Sequence, residues 1–223
     1  MGNYTQVLDT LERELQGVSD VFASLSDEEW ARDTLLEPFQ PDRPRWTVFE
    51  LAGHMDISIG LTRMLIASQE AGQPGRDQIS FFIFPRSEVA PGVYDYAYTM
   101  VAGKTPAEMP AVLAETFTKS ISESRALPPD TVGSGYYALM RLDEFVTSRV
   151  VEAVVHGIDL TDATGRECIA TPEGIAVTAG ILDELLARRT VAGRPADLGD
   201  DLAWIRAASG RATHSDPRLP LLG

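Results

Sequence analysis

A single cysteine, Cys168, stands in 223 residues, so no intramolecular disulfide framework can form. That usage fits a reducing compartment. Basic residues are scarce: 19 Lys and Arg face 33 Asp and Glu, a net charge of −14. A chain so acidic is poorly suited to nucleic acid, whose affinity rests on phosphate neutralisation, or to an anionic membrane surface. No apolar run reaches the length of a membrane span, and the first residues lack the basic-then-apolar order of a signal peptide. Met1-Gly2 is followed by Gln6 where myristoylation wants Ser or Thr. The expectation is a soluble, cytoplasmic protein with small-molecule partners or a second copy of itself, as a homodimer. Catalytic fingerprints are missing as well. There is no Gly-x-Ser-x-Gly elbow, Walker loop or dinucleotide-binding glycine pattern, and Gly133-Ser134-Gly135 reads as a plain loop. Histidine is limited to three residues.

What the chain does have is helical periodicity. Val7, Leu8, Leu11, Leu15, Val18 and Phe22 predict a first amphipathic helix over about residues 3–25. Ser26-Asp27-Glu28-Glu29 resembles a capping box that opens a short turn, and Pro38, Pro41 and Pro44 hold an irregular connection. Thr47-Val48-Phe49-Glu50 is a stronger capping box and predicts a second long helix to about Ala71, stopped by Gly72 and Pro74. From Gly72 to Lys104 the pattern breaks down, with Phe81 to Phe84 apolar, Pro85 and Pro91 as punctuation, and Tyr94, Tyr96 and Tyr98 alternating. Such a connection crosses over or lines a site. Thr105-Pro106-Ala107-Glu108 predicts a third long helix to about Leu127. A fourth is expected from about Tyr137 to Ala163, and two more over about 171–189 and 200–209. No strand of convincing length is read. The predicted architecture is all-α: a four-helix bundle with one long crossover connection over residues 1–165, then a short helical C-terminal extension over 166–223.

Two of the three histidines fall in apolar helical segments. Glu152 and His156 are four apart in an otherwise apolar run, so they share one helix face. His54 sits alone in Phe49-Glu50-Leu51-Ala52-Gly53-His54-Met55. Burying an ionised carboxylate beside imidazoles is costly unless something compensates it, and a metal ion suits both. His54, Glu152 and His156 therefore form a candidate three-ligand site with an open position, for zinc first, with ferrous iron or nickel as alternatives. Asp159, three residues past His156, is placed to orient an imidazole. The plainer reading is that these are satisfied core residues, since Glu and His four apart are common on helices. The apolar setting of each member weighs against it.

Trp46-Thr47-Val48-Phe49-Glu50-Leu51-Ala52-Gly53-His54, followed by Arg149-Val150-Val151-Glu152-Ala153-Val154-Val155-His156-Gly157-Ile158-Asp159-Leu160, resembles the mycothiol-dependent maleylpyruvate isomerase family. That family lies within the DinB-like superfamily of metal-binding four-helix bundles. The resemblance covers about residues 3–165. It implies a divalent metal, usually zinc, at His54, Glu152 and His156, and mycothiol as the low-molecular-weight thiol activated there. It also implies isomerisation or S-transfer on a small-molecule electrophile. Ala207-Ala208-Ser209-Gly210-Arg211 is similar to the Ala-Ala-Thr-Gly-Arg ending of many family members, which makes Arg211 a candidate catalytic residue. The isomerase proper carries a strand-containing C-terminal domain that this chain does not offer, so the resemblance implies the chemistry and not the substrate.

Further candidates come from the residues alone. Arg149, one turn before Glu152, could bind a substrate carboxylate or pair with Asp143 or Glu144. Arg141 and Arg86 are weaker candidates, Tyr94, Tyr96 and Tyr98 could line the mouth, Cys168 reads as structural, and His214 sits in a polar tail. The rival to an enzyme is a metal-binding bundle without chemistry, acting as a dimeric interaction or sensor module.

Overall fold

The computed structural model describes residues 4–222 apart from 39, 41, 136 and 137, and leaves out the Arg86 side chain. Tyr137 as a helix start, Pro41 and the Arg86 candidate therefore lie outside the described residues.

Helix α1 spans Tyr4–Ala23 and buries Leu8, Leu11, Leu15, Val18 and Phe22, the stripe its periodicity predicts. The short α2, Asp27–Trp30, is opened by a complete Ser26–Glu29 capping box. Helix α3, Val48–Ala67, begins at a second capping box: Thr47 N–H donates to Glu50 Oε2 at 2.9 Å while Thr47 Oγ1 accepts from Phe49 N–H. It ends at Ser68, whose hydroxyl donates to the Leu65 carbonyl, short of the predicted Ala71. Helix α5, Met109–Arg125, and helix α6, Leu142–Thr164, complete the bundle. Gly165 closes α6 in the left-handed region, at φ 71°, which suits glycine. Each of α1 and α3 packs against both α5 and α6, so the four form a ring. Among the described residues no helix is long and apolar enough to cross a membrane.

Three expectations are corrected. Residues 72–104 are not patternless, because Arg86–Val101 form helix α4, packed along α3. Pro91 and Gly92 conceal it in sequence, because a proline at the sixth helical position loses a ladder bond and crowds the carbonyl four residues back, a cost that packing along α3 offsets. On this helix Tyr94 and Tyr98 share a face, with their hydroxyls 3.0 Å apart, and Tyr96 projects from another. The close approach of α3 and α4 depends on Gly53, where a Cβ would meet the Ala97 carbonyl oxygen at 2.5 Å. Second, α6 starts at Leu142 rather than near 137. Val132–Ser134 and Leu139–Arg141 form an antiparallel hairpin, β1 and β2, with Gly133 opposite Met140. These strands are too short to show a period, and the hairpin is fixed by long-range bonds such as Glu70 N–H to the Val132 carbonyl, 3.1 Å. Third, the Thr105 capping bonds form, but α5 begins at Met109 because Pro110 has no N–H to return to Pro106.

Helices α7, Pro172–Arg189, and α8, Asp201–Ala208, match the predicted extension. Helix α7 lies on α6 and also touches α1, and α8 lies on α7. Its anchor is Glu14 of α1, a buried carboxylate that accepts from Thr171 N–H at 3.0 Å at the N-terminus of α7. Gly174 makes room for that group, since a Cβ there would lie 2.5 Å from Glu14 Cδ.

Candidate metal centre

His54, seven residues into α3, and His156, on α6, meet with their Nε2 atoms 3.0 Å apart. Glu152 Oε2 lies 3.5 Å from His54 Nε2 and 3.4 Å from His156 Nε2. Three potential donors thus form a nearly equilateral triangle. Ligand bonds of about 2.0–2.2 Å at a tetrahedral angle set neighbouring donors about 3.3–3.6 Å apart. The two Glu152 edges, 3.5 and 3.4 Å, fall in that range and the His54–His156 edge of 3.0 Å lies just below it, and the donor set of two imidazoles and one carboxylate suits zinc and its first-row neighbours.

The electrostatics favour the ligating forms of His54 and Glu152. Burial, reinforced by the neighbouring His156, pushes His54 down from the usual imidazole range, keeping it neutral. Burial alone would raise Glu152, but hydrogen bonds from His156 and His54 and the charge of Arg149 overcome it and hold the carboxyl well below its usual range. His156 is also buried. Its bonds to Asp159 and Glu152 outweigh that burial and raise its pKa.

Two relays orient the donors. His156 Nδ1 donates to Asp159 Oδ2 at 2.8 Å, which leaves Nε2 free to face the other donors. Arg211 clamps that aspartate, donating from Nε to Oδ1 at 2.9 Å and from Nη2 to Oδ2 at 2.7 Å. Burial opposes ionisation of Asp159, yet the Arg211 charge and the bonds from His156 and Arg211 bring it down to about 2. On the other side, Ser58 donates to Glu152 Oε2 at 3.1 Å, and Arg149 Nη1 donates to Ser58 Oγ at 2.9 Å and to its carbonyl at 3.0 Å. His54 is held by ring stacking instead: Trp46 lies 5.1 Å away between centroids, at 29°.

The remaining candidates are distributed as follows. Arg149 is fully buried, its guanidinium 4.7 Å from the Phe81 centroid and 4.5 Å from that of Phe145, and it also donates to Ser148 Oγ. Of the acidic residues the sequence offered it, Asp143 accepts from Arg141 and Glu144 from Gln78 N–H. Tyr94 and Tyr96 line the cavity in front of the triangle, with Tyr94 bonded to the Pro44 carbonyl. His214 pairs with Asp197, away from the triangle, and Cys168 packs against the core. Sequence reasoning missed Ser58, although its position four residues after His54 on one helix face was the available signal. It also missed Phe81 and Phe145 around Arg149, for which no local signal exists.

The cavity measures about 430 Å³, and the triangle, Arg149, Arg211, Arg189 and the tail residues Leu221 and Leu222 are all in its wall. The C-terminal extension therefore closes one side. Arg189 donates to the Leu221 carbonyl at 3.0 Å, and Leu221 and Leu222 N–H both donate to the Ala208 carbonyl. Helices α3 and α6 run antiparallel here, because His54 meets His156 while Ser58 meets Glu152 and Arg149. Arg211 and Arg149 consequently flank the triangle from opposite ends of α6.

A sequence profile described as the mycothiol maleylpyruvate isomerase N-terminal domain matches residues 11–161. No curated protein and no solved structure matches the chain. The matched span contains all three donors and Asp159, and ends before Arg189, Arg211 and the tail.

Proposed function

The chain belongs to the mycothiol maleylpyruvate isomerase N-terminal domain family, and from that premise we propose a metal- and thiol-dependent enzyme that isomerises or S-transfers a small electrophile. The observation that carries the reading is the triangle of His54, Glu152 and His156 donors facing a cavity large enough for a ligand. In this reading the trio holds a divalent ion, zinc first, and mycothiol is the thiol. Such an ion supplies the positive charge that keeps a bound thiol deprotonated at neutral pH.

The chain's own residues have distinct tasks. Asp159 fixes the His156 tautomer and Arg211 fixes Asp159, so the imidazole keeps one orientation. Ser58, steered by Arg149, does the same for Glu152. Arg211 acts in this scheme as a positioning residue whose charge also borders the cavity, where developing negative charge on a substrate would be favoured.

The test is cobalt substitution followed by thiol titration. One equivalent of cobalt and a thiol-dependent change in its visible spectrum are expected. Cobalt binding with no response to mycothiol or a simple thiol would count against the enzyme and favour a metal-binding bundle without chemistry.

A further inference from the structure

Ile57, Leu61 and Met64 follow His54 on α3 at offsets of three, seven and ten residues and line the cavity with it. At 1.5 Å per residue, this stripe extends the wall about 15 Å beyond the His54 position. It lies on the Arg149 side of the triangle, because α3 and α6 are antiparallel. Phe81, Phe84 and Val93 contribute to the same cavity. The stripe itself carries no charge, and the guanidiniums in the cavity wall are engaged: Arg149 with Ser58 and Ser148 between two phenyl rings, Arg211 with Asp159, and Arg189 with the Leu221 carbonyl. The wall made by Ile57, Leu61 and Met64 therefore suits an apolar group better than a charged one.

A second observation points the same way. Five large apolar side chains are exposed among the described residues: Leu35, Met64, Ile83, Tyr96 and Val191. Met64 and Tyr96 line the cavity, and Leu35 and Ile83 are chain neighbours of Leu36, Phe82 and Phe84, which also line it. Two exposed apolar side chains, Met64 and Tyr96, thus stand in the cavity wall itself, and exposed apolar surface at a cavity marks a binding site. The stripe and the rim are continuous with the triangle, which gives them a common occupant.

We propose that the electrophile has an extended apolar body, an alkyl chain or aromatic rings, laid along Ile57, Leu61 and Met64 with its reactive end toward His54, Glu152 and His156. The word electrophile rests on the function proposed above. The apolar groove stands on its own residues and is tested without metal or thiol.

The test measures calorimetric binding of straight-chain methyl ketones, unreactive toward thiols, from four to twelve carbons. Affinity is expected to rise about fourfold per added methylene and to level off once the chain spans the stripe. Leu61→Trp is expected to end the rise at a shorter chain. Met64→Ser, at an exposed position that the fold does not need, should weaken only the longest ketones, several-fold. Affinity independent of chain length, or a rise unchanged in both variants, overturns the proposal. So does a flat series together with a dimer that dissociates on Met64→Asp, which would assign the rim to a second copy. Thiol-dependent turnover of the matching vinyl ketones separates the two readings. A rising series without turnover refutes the enzyme and keeps the groove, whereas turnover with a flat series refutes the groove alone.

Discussion

Arg211 grips both carboxylate oxygens of Asp159, 52 residues earlier in the chain, and so fixes the group that orients His156. The C-terminal extension is thereby tied to the candidate metal centre through one ion pair, in which Arg211 is 13% and Asp159 3% exposed at the side chain. Removing one partner of a buried pair leaves an uncompensated charge and costs about 3–5 kcal/mol. Arg211→Ala should lower thermal stability and weaken metal affinity about 10–100-fold, with the three donors intact. Competition against a chelating dye and a melting curve measure the two effects. Metal affinity equal to the parent's would confine Arg211 to packing.

His156→Ala should abolish stoichiometric metal binding while helical content stays near the parent's, because α6 is held by apolar residues on its other faces. Elemental analysis and far-ultraviolet circular dichroism give the two readings. A variant that still retains one equivalent of metal would remove His156 from the ligand set.

Arg149 is wedged between Phe81 and Phe145 and donates to Ser58 and Ser148. Lysine keeps the charge but loses the planar stacking and the fork of donors. Arg149→Lys should therefore cost about 2–4 kcal/mol of stability, read from urea unfolding. A loss below about 0.5 kcal/mol would show that the sandwich contributes little beyond an ordinary surface position.

Glu14 supplies a pH test remote from the metal. Burial raises its pKa, and the bonds from Thr171 do not cancel the rise. The native state then binds a proton more readily than the unfolded chain, so the stability it contributes is fully present below the unfolded value, about 4.3. That contribution is lost as pH climbs through the raised native value. Glu14→Gln removes this dependence. The stability of the variant relative to the parent should increase between pH 4 and pH 7, and a difference that stays constant or falls would contradict the assignment.

Gly174 is the space into which Glu14 fits. Alanine there forces the carboxylate or the start of α7 to move, at about 1–3 kcal/mol. Denaturant midpoints should show Gly174→Ala destabilised even though alanine is the better helix former. An unchanged or raised midpoint would mean that α7 shifts freely.

The sequence by itself determined the helices whose apolar stripes and caps are local: α1 from Val7 to Phe22, α3 from the Thr47 box, and α7 from Thr171. It also carried the donor types, since Glu152 and His156 share a helix face by spacing alone and His54 stands out in an apolar run. Tertiary structure decided what spacing cannot encode. Helix α4 exists despite Pro91 because it packs along α3, across the gap that Gly53 leaves. The β1–β2 hairpin displaces the start of α6 through bonds to residues near Glu70. The fold alone brought Ser58 to Glu152, set Arg149 between two phenyl rings and carried Arg211 to Asp159. Periodicity reports which face of an element is apolar, over a few turns. Which distant side chain meets that face is fixed only when the elements pack, because the energy lies in contacts between residues dozens of positions apart.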